Sequence, residues 1–392
     1  MQPLDILQPW YYSTAYFLTL MVLCWFTVLY TIGSNQQKIL YAESSPMQGA
    51  ALFLTLLVIV FIGLRPSGAS FGDMSAYKNT FNIIKDYTPV SLKTEWLWNN
   101  IMILFKNLGF NVHEFFLFIS FVYFGGMFFC SMVLMRQNLW LAMLFFLVSF
   151  STFSFSTNGI RNGFACSIEL MAISCLTMGK SKYPLALILM FLALGTHRST
   201  MLPTVSAFAS IYFIKDTKIA LRFWVASIGI SLVAGPIVEQ FFAALGFDDR
   251  MSEYSSGANN EQTMSQFTQT GFRWDFLFYS MFPVIMTWYV TKRRHFNDPT
   301  FSILANTYIF CNAFWIMVIR SSFSNRFAYL SWFLYPVVIA YPLFRMNVWK
   351  DQDRKTAIIL FFYSAFTFFM FFIYYYGSGN GFRGFDLYWW RE

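Results

Sequence analysis

Met47 to Arg65 reads MQGAALFLTLLVIVFIGLR, an uncharged apolar run closed by an arginine. A helix of roughly 17 to 22 such residues crosses about 30 Å of hydrocarbon, and only a helix satisfies its own backbone there. Runs like it recur along the chain, near 13–32, 47–64, 113–135, 139–156, 160–178, 183–197, 199–214, 219–239, 273–290, 300–319, 327–344 and 357–376. Composition agrees with them. The 392 residues are 57% hydrophobic, 22% aromatic and only 12% charged, which lies outside the range of soluble globular domains. The expected fold is therefore an all-α polytopic integral membrane protein. It forms one transmembrane domain over 1–392 with about twelve transmembrane helices, and a GT-C-like arrangement is one form such a fold takes.

The start, MQPLDILQPWYY, lacks a basic n-region and a small-residue cleavage site, so 13–32 reads as a retained span with Trp10, Tyr11 and Tyr12 as its interfacial belt. Orientation follows from the short connections. Lys38, Arg136, Lys180, Lys182, Lys215, Lys218, Arg222, Lys292, Arg293, Arg294, Arg345, Lys350, Arg354 and Lys355 fall on alternate turns, which places those turns inside and both termini outside. About half of the 27 basic residues still lie on the outer face, so the kind of cation is more informative than the tally. Apart from the lysines of 66–110, the outer cations are all arginine: Arg65, Arg161, Arg198, Arg250, Arg273, Arg320, Arg326, Arg383 and Arg391. Arginine captures phosphate and carboxylate through two parallel hydrogen bonds where lysine offers a point charge, so this face suits a polyanionic or oxygen-rich ligand. Interfacial snorkelling is the plainer reading for any one of them.

The two outer segments too long to be turns are 65–112 and 241–272. In the first, EWLWNNIMILFKNLGF (95–110) has amphipathic spacing too polar to span and reads as a helix lying in the interface. The second is rich in Ser, Thr, Asn, Gln, Gly and acids and reads as a solvated loop, either a linker or a lid suited to sugar hydroxyls. The tail 377–392 is aromatic enough for an interfacial belt or for stacking on pyranose rings. The five cysteines all fall within spans, and the three histidines lack metal-ligand spacing. No nucleotide-binding motif is visible.

Polar residues gather at the outer membrane edge. In Ser156-Thr157-Asn158-Gly159-Ile160-Arg161-Asn162-Gly163-Phe164, one span exits and the next re-enters, which puts Arg161 in the first turn of a helix. A cation there opposes the helix dipole, so it serves something other than helix stability. Glu169 follows eight residues on, nearly on the same face and about 12 Å deeper. A carboxylate at that depth is a functional candidate, or else ties an arginine to a neighbouring helix. Gly63-Leu64-Arg65 with Gly72-Asp73, His197-Arg198, and Arg320 with Asn325-Arg326 bring further cations, a histidine and an acid to the same edge.

In order and spacing these motifs resemble the Wzy-type and EpsG-like polysaccharide polymerases. The resemblance rests on Gly63-Leu64-Arg65, Gly72-Asp73, Tyr77-Lys78-Asn79-Thr80-Phe81, Glu95-Trp96-Leu97, Asn158-Gly159-Ile160-Arg161-Asn162-Gly163-Phe164-Ala165 and His197-Arg198-Ser199, with Asn325-Arg326-Phe327 beyond them. A glutamine commonly follows the family's arginine where this chain has Asn162, so the amide is kept on a shorter arm.

The resemblance implies a glycosyltransferase of O-antigen or exopolysaccharide synthesis in the bacterial inner membrane. Such an enzyme moves a growing glycan from undecaprenyl pyrophosphate onto a lipid-linked repeat unit at the periplasmic face. Its partners would be that lipid-linked oligosaccharide, membrane lipids and a chain-length-regulating membrane protein, with no cofactor, metal or nucleic acid. Arg161, Arg65 and Arg326 would hold pyrophosphate. His197 and Asp73 compete as the base, histidine being preferred because its ordinary pKa lies near neutrality. Tyr77, Glu95 and Asp73 would orient acceptor hydroxyls, and Asn158, Asn162, Glu169, Arg198 and Asn325 complete the candidate substrate contacts. A twelve-span transporter or flippase for lipid-linked oligosaccharide, and an O-antigen ligase using the same donor, are the alternatives.

Overall fold

The computed structural model describes residues 7, 11–33, 45–68, 71–85, 87–91, 95–244, 271–321, 324–346 and 349–374. Most of the long outer loop at 241–272, the tail 377–392, and Trp10, Lys38, Arg250, Arg383 and Arg391 lie outside them. Regular structure among the described residues is helical throughout. In chain order the helices are α1 (Tyr11–Gly33), α2 (Ser45–Gly63), α3 (Met74–Ile83), α4 (Trp96–Asn107), α5 (Val112–Leu134), α6 (Leu139–Leu147), α7 (Thr152–Thr157) and α8 (Ile160–Thr177). Then follow α9 (Tyr183–Thr196), α10 (Met201–Tyr212), α11 (Thr217–Ala244), α12 (Trp274–Trp288), α13 (Pro299–Met317), α14 (Ser324–Trp332), α15 (Tyr335–Arg345) and α16 (Gln352–Phe369).

Among the described residues six stretches are long and apolar enough to cross a membrane: Tyr11–Gly33, Val112–Leu134, Thr217–Phe241, Pro299–Met317, Arg326–Arg345 and Gln352–Phe372, with Met47–Gly63 a shorter candidate. The chain is a multi-pass membrane protein. Several other expected spans are shorter or broken, whereas 160–178 is one continuous helix, Ile160–Thr177. Helices α9, α10 and α12 have 14, 12 and 15 residues, and at about 1.5 Å of rise per residue none covers the full hydrocarbon thickness. The run 139–156 is two helices rather than one, interrupted at Val148–Ser151. A hydropathy window sees only that the interruption stays apolar, whereas Ser149, Ser151 and Thr152 offer the backbone competing hydrogen bonds.

That break shows how backbone irregularity survives inside a bundle. Tyr16 donates its hydroxyl to Leu147 O at 2.8 Å, Thr367 donates to Val148 O at 2.8 Å, and Thr152 donates to Phe146 O at 2.8 Å. The carbonyls freed by the interruption are thereby satisfied by side chains from α1, α16 and α7.

The chain forms two compact units, residues 1–167 with 343–392 and residues 168–342. In the first, α1 packs on α16, and α2 packs on α5 and α6. The α2–α5 contact is close because Gly63 presents no Cβ; one added there would lie 2.8 Å from Leu117 Cα. Ser120 donates to Ile59 O at 3.0 Å across the same contact. Gly126 admits Ser167, whose hydroxyl donates to Tyr123 O at 2.8 Å. Small residues that let backbones approach are the usual device where lipid supplies no hydrophobic drive between helices. Helix α5 starts at a capping box, with Asn111 accepting from the Glu114 backbone at 3.2 Å and Glu114 accepting from the Asn111 backbone at 2.8 Å.

The second unit is built around α13, which packs on α10, α11, α12 and α14. Its buried amides act as polar ties. Trp224 donates to Asn312 Oδ1 at 2.7 Å, Asn312 donates to Ser331 Oγ at 3.0 Å, and Asn306 donates to Ile214 O at 2.8 Å. Helix α11 is kinked where Ala234 leaves helical geometry ahead of Pro236.

The start of α8 packs closely on α7. A Cβ on Gly163 would overlap Phe155 O and approach the Tyr123 ring at 3.1 Å. Gly163→Ala is expected to destabilise the protein by about 1–3 kcal/mol through overpacking, seen as a lower midpoint in thermal denaturation of the detergent-solubilised chain.

Candidate functional site

The first unit gathers Arg65, Asp73, Tyr77, Glu95, Asn158 and Arg161. Leu64 still bonds back to Val60 O at 3.0 Å as α2 ends, and the chain then turns so that the Arg65 side chain points inward with 1% of its surface exposed. Its guanidinium donates to Ile62 O, to Thr157 O at 3.1 Å and to Met74 Sδ at 3.0 Å. The rings of Phe71 and Phe116 flank it at 5.5 and 5.9 Å. Nε is buried without an acceptor. Burial pulls the guanidinium down to about 9, so it keeps its charge at neutral pH. Arg65 thus serves as a strut joining the end of α2 to the end of α7. Its expected role as a pyrophosphate ligand is distinct from this one, since the donors it uses here are directed at two carbonyls and a sulfur.

Asn158, next to the carbonyl Arg65 holds, is gripped from the other side. Its Oδ1 accepts the Asp73 backbone N–H at 2.9 Å. Gly72 sits at φ +64, and a Cβ there would overlap the Asn158 side chain. Two reasons therefore demand glycine at 72: the left-handed backbone and the missing space. Asp73 opens α3 without a side-chain capping bond. Tyr77, one turn on, meets the buried Trp98 of α4 edge to face at 5.5 Å, and Trp98 in turn packs on Phe115 and Phe164.

Glu95 precedes α4 in the left-handed region, φ 58 and ψ 42, and its side chain makes no capping bond. It pairs instead with Arg161 in the first turn of α8. Both side chains are 18% exposed, so the pair sits at a partly open edge. Asn162 faces the other way, buried, its amide oxygen accepting the Cys166 thiol at 3.2 Å.

The second unit holds the remaining candidates. Glu169 is wholly buried; Oε1 accepts the Thr204 hydroxyl at 3.1 Å and Oε2 has no hydrogen-bond partner. The alternative that Glu169 ties down an arginine is not realised, since its partner is a hydroxyl and Arg161 is held by Glu95. His197 is buried at an extended residue between α9 and the 3-10 turn Arg198–Thr200, and its carbonyl accepts the Thr200 hydroxyl at 2.8 Å. Arg198 is exposed, and its turn packs on α14, which carries Asn325 and a half-buried Arg326. The side chain of Asn325 lies outside the described residues.

Reading the sequence alone misses Thr157, Met74, Phe71 and Phe116 as the seat of Arg65, and Thr204 as the partner of Glu169. Carbonyl acceptors carry no residue-type signal, so the Thr157 carbonyl that holds Arg65 could not be marked in advance.

The EpsG family profile matches residues 50–384, which takes in both units. No curated protein and no solved structure matches the chain.

Proposed function

Because the chain belongs to the EpsG family of Wzy-like polysaccharide polymerases, we propose that it transfers a growing glycan from undecaprenyl pyrophosphate to a lipid-linked repeat unit at the outer face of the bacterial inner membrane. The observation that carries the reading is Arg161. One guanidinium nitrogen meets Glu95 at a partly open edge, and the others make no hydrogen bond to any described residue. A planar donor set so placed suits the paired oxygens of a pyrophosphate.

In this transfer the acceptor hydroxyl attacks the anomeric carbon. The anomeric C–O bond breaks with its electron pair going to the pyrophosphate, and the hydroxyl proton goes to a base. Arg161 would meet the charge that grows on the leaving oxygen. His197 or Asp73 would take the proton, with His197 preferred as an imidazole base. The deciding experiment is an assay of purified protein with lipid-linked repeat units. A ladder of chain lengths is expected; a single addition to a different acceptor would mean a ligase. Buried Glu169, with one oxygen lacking a hydrogen-bond partner, favours a transporter as second reading. Movement of intact lipid-linked oligosaccharide without any ladder would establish that instead.

The proposed topology has about twelve crossings, the shorter helices included, with both termini outside. Cysteines placed at Ser255 and Gly379 should react with an impermeant thiol reagent in intact cells, and one at Asp353 should not. Labelling at 353 alone would invert the orientation and move Arg161 to the wrong compartment.

A further inference from the structure

Arg161 and Arg65 both belong to the first unit but are held in different ways. Arg65 is sealed: 1% exposed, its donors fixed on carbonyls and sulfur. Arg161 is engaged by a single acid through a single nitrogen, with both side chains of the pair partly in solvent. An ion pair of that kind is weak, because water and salt screen it and one contact point leaves the fork of donors largely unspent. It is therefore an exchangeable contact.

The acid on the other side is held awkwardly. Glu95 is one of three non-glycine residues with positive φ among the described residues, a conformation that costs energy for any residue with a Cβ and that recurs at functional positions. Its carboxylate does not cap α4, although a helix N-terminus directly follows and an acid there would gain from capping it. Instead the carboxylate is turned onto a cation that itself opposes the dipole of α8. Glu95 thus meets Arg161 from a position that leaves the N-terminus of α4 uncapped by its side chain.

We propose that Glu95 is a placeholder for pyrophosphate on Arg161: it neutralises the guanidinium in the empty site and is displaced when a pyrophosphate-bearing lipid binds. The inference rests on the reading of Arg161 as the ligand of the lipid donor. A pyrophosphate ester carries more negative charge than a carboxylate and offers several oxygens, so it fills the fork that Glu95 touches at one point. Displacement frees a carboxylate beside the bound donor, where it accepts a hydrogen bond from an incoming sugar hydroxyl. Donor then binds before acceptor, and the site for the acceptor is completed only when the donor is in place.

A placeholder has a signature of opposite sign to that of a structural ion pair. Binding of farnesyl pyrophosphate to the detergent-solubilised full chain is measured for wild type, Glu95→Gln and Arg161→Ala. Removing the competing charge should tighten binding in Glu95→Gln by about tenfold, while Arg161→Ala loses it. In the polymer assay the same Glu95→Gln should show a raised KM for the acceptor repeat unit. Equal or weaker binding by Glu95→Gln overturns the proposal, because the pair is then a structural tie. Glu95→Asp, which keeps the charge on a shorter arm, covers the case in which Gln fails to fold: tighter binding than wild type supports the exchange, and equal or weaker binding overturns it. If wild type makes a polymer ladder but no form binds the probe, the placeholder falls and the polymerase stands. If no ladder forms, the polymerase reading falls, and a tenfold tighter Glu95→Gln still supports exchange of carboxylate for pyrophosphate on Arg161.

Discussion

Arg161→Ala is expected to lower polymer formation by about a hundredfold to a thousandfold, the usual loss when one group that stabilises developing negative charge is removed. The protein should still insert and fold. Its ion pair with Glu95 is partly exposed, with both side chains at 18%, and such a pair contributes about 0–1 kcal/mol. Arg161→Lys should restore little activity, because an ammonium replaces a planar fork with a point charge and cannot hold two oxygens in parallel. Initial rates of ladder formation and thermal denaturation of the same preparations check both halves. A fully active lysine variant would show that charge alone matters at 161, and an alanine variant that does not fold would make the pair structural.

Arg65→Ala should do the reverse, acting on the fold before it acts on turnover. Truncation leaves Thr157 O and Ile62 O without the donor they now have and opens a cavity between Phe71, Phe116 and Met74. Together these predict a loss of about 3–5 kcal/mol, enough to unfold a protein of ordinary stability at growth temperature. Arg65→Met fills much of the volume and removes a buried charge that no acid neutralises, so it should recover part of the loss. Thermal inactivation midpoints in detergent rank the three. If Arg65→Ala folds like wild type and only loses farnesyl pyrophosphate binding, Arg65 is a ligand after all and the strut account is wrong.

How far the candidate site was legible depends on what kind of contact each residue makes. Arg161 and Glu95 were marked as candidates by residue type and by resemblance, yet their pairing joins positions 66 residues apart, and no local pattern announces it. Gly72 was quoted as part of a motif; the reason it must be glycine is the side chain of Asn158, 86 positions away. Arg65 was legible as a cation at a helix end, whereas its burial is decided by what folds over it. Glu169 was legible as a buried carboxylate from its depth along one helix, whereas its partner Thr204 belongs to another.

The sequence by itself determined that this is a multi-pass helical membrane protein, because apolar length and backbone hydrogen bonding in lipid leave no other solution. It also determined the family, through short motifs in a set order. Tertiary structure alone decided which apolar runs are continuous helices, since the interruption at Val148–Ser151 is sustained by hydroxyls of Tyr16 and Thr367 from distant helices. It alone separated the two arginines of the first unit, one sealed on carbonyls and one left exchangeable. Hydropathy and residue type are local properties that the chain carries wherever it goes, but solvent exposure and the identity of a hydrogen-bond partner exist only once distant segments have met.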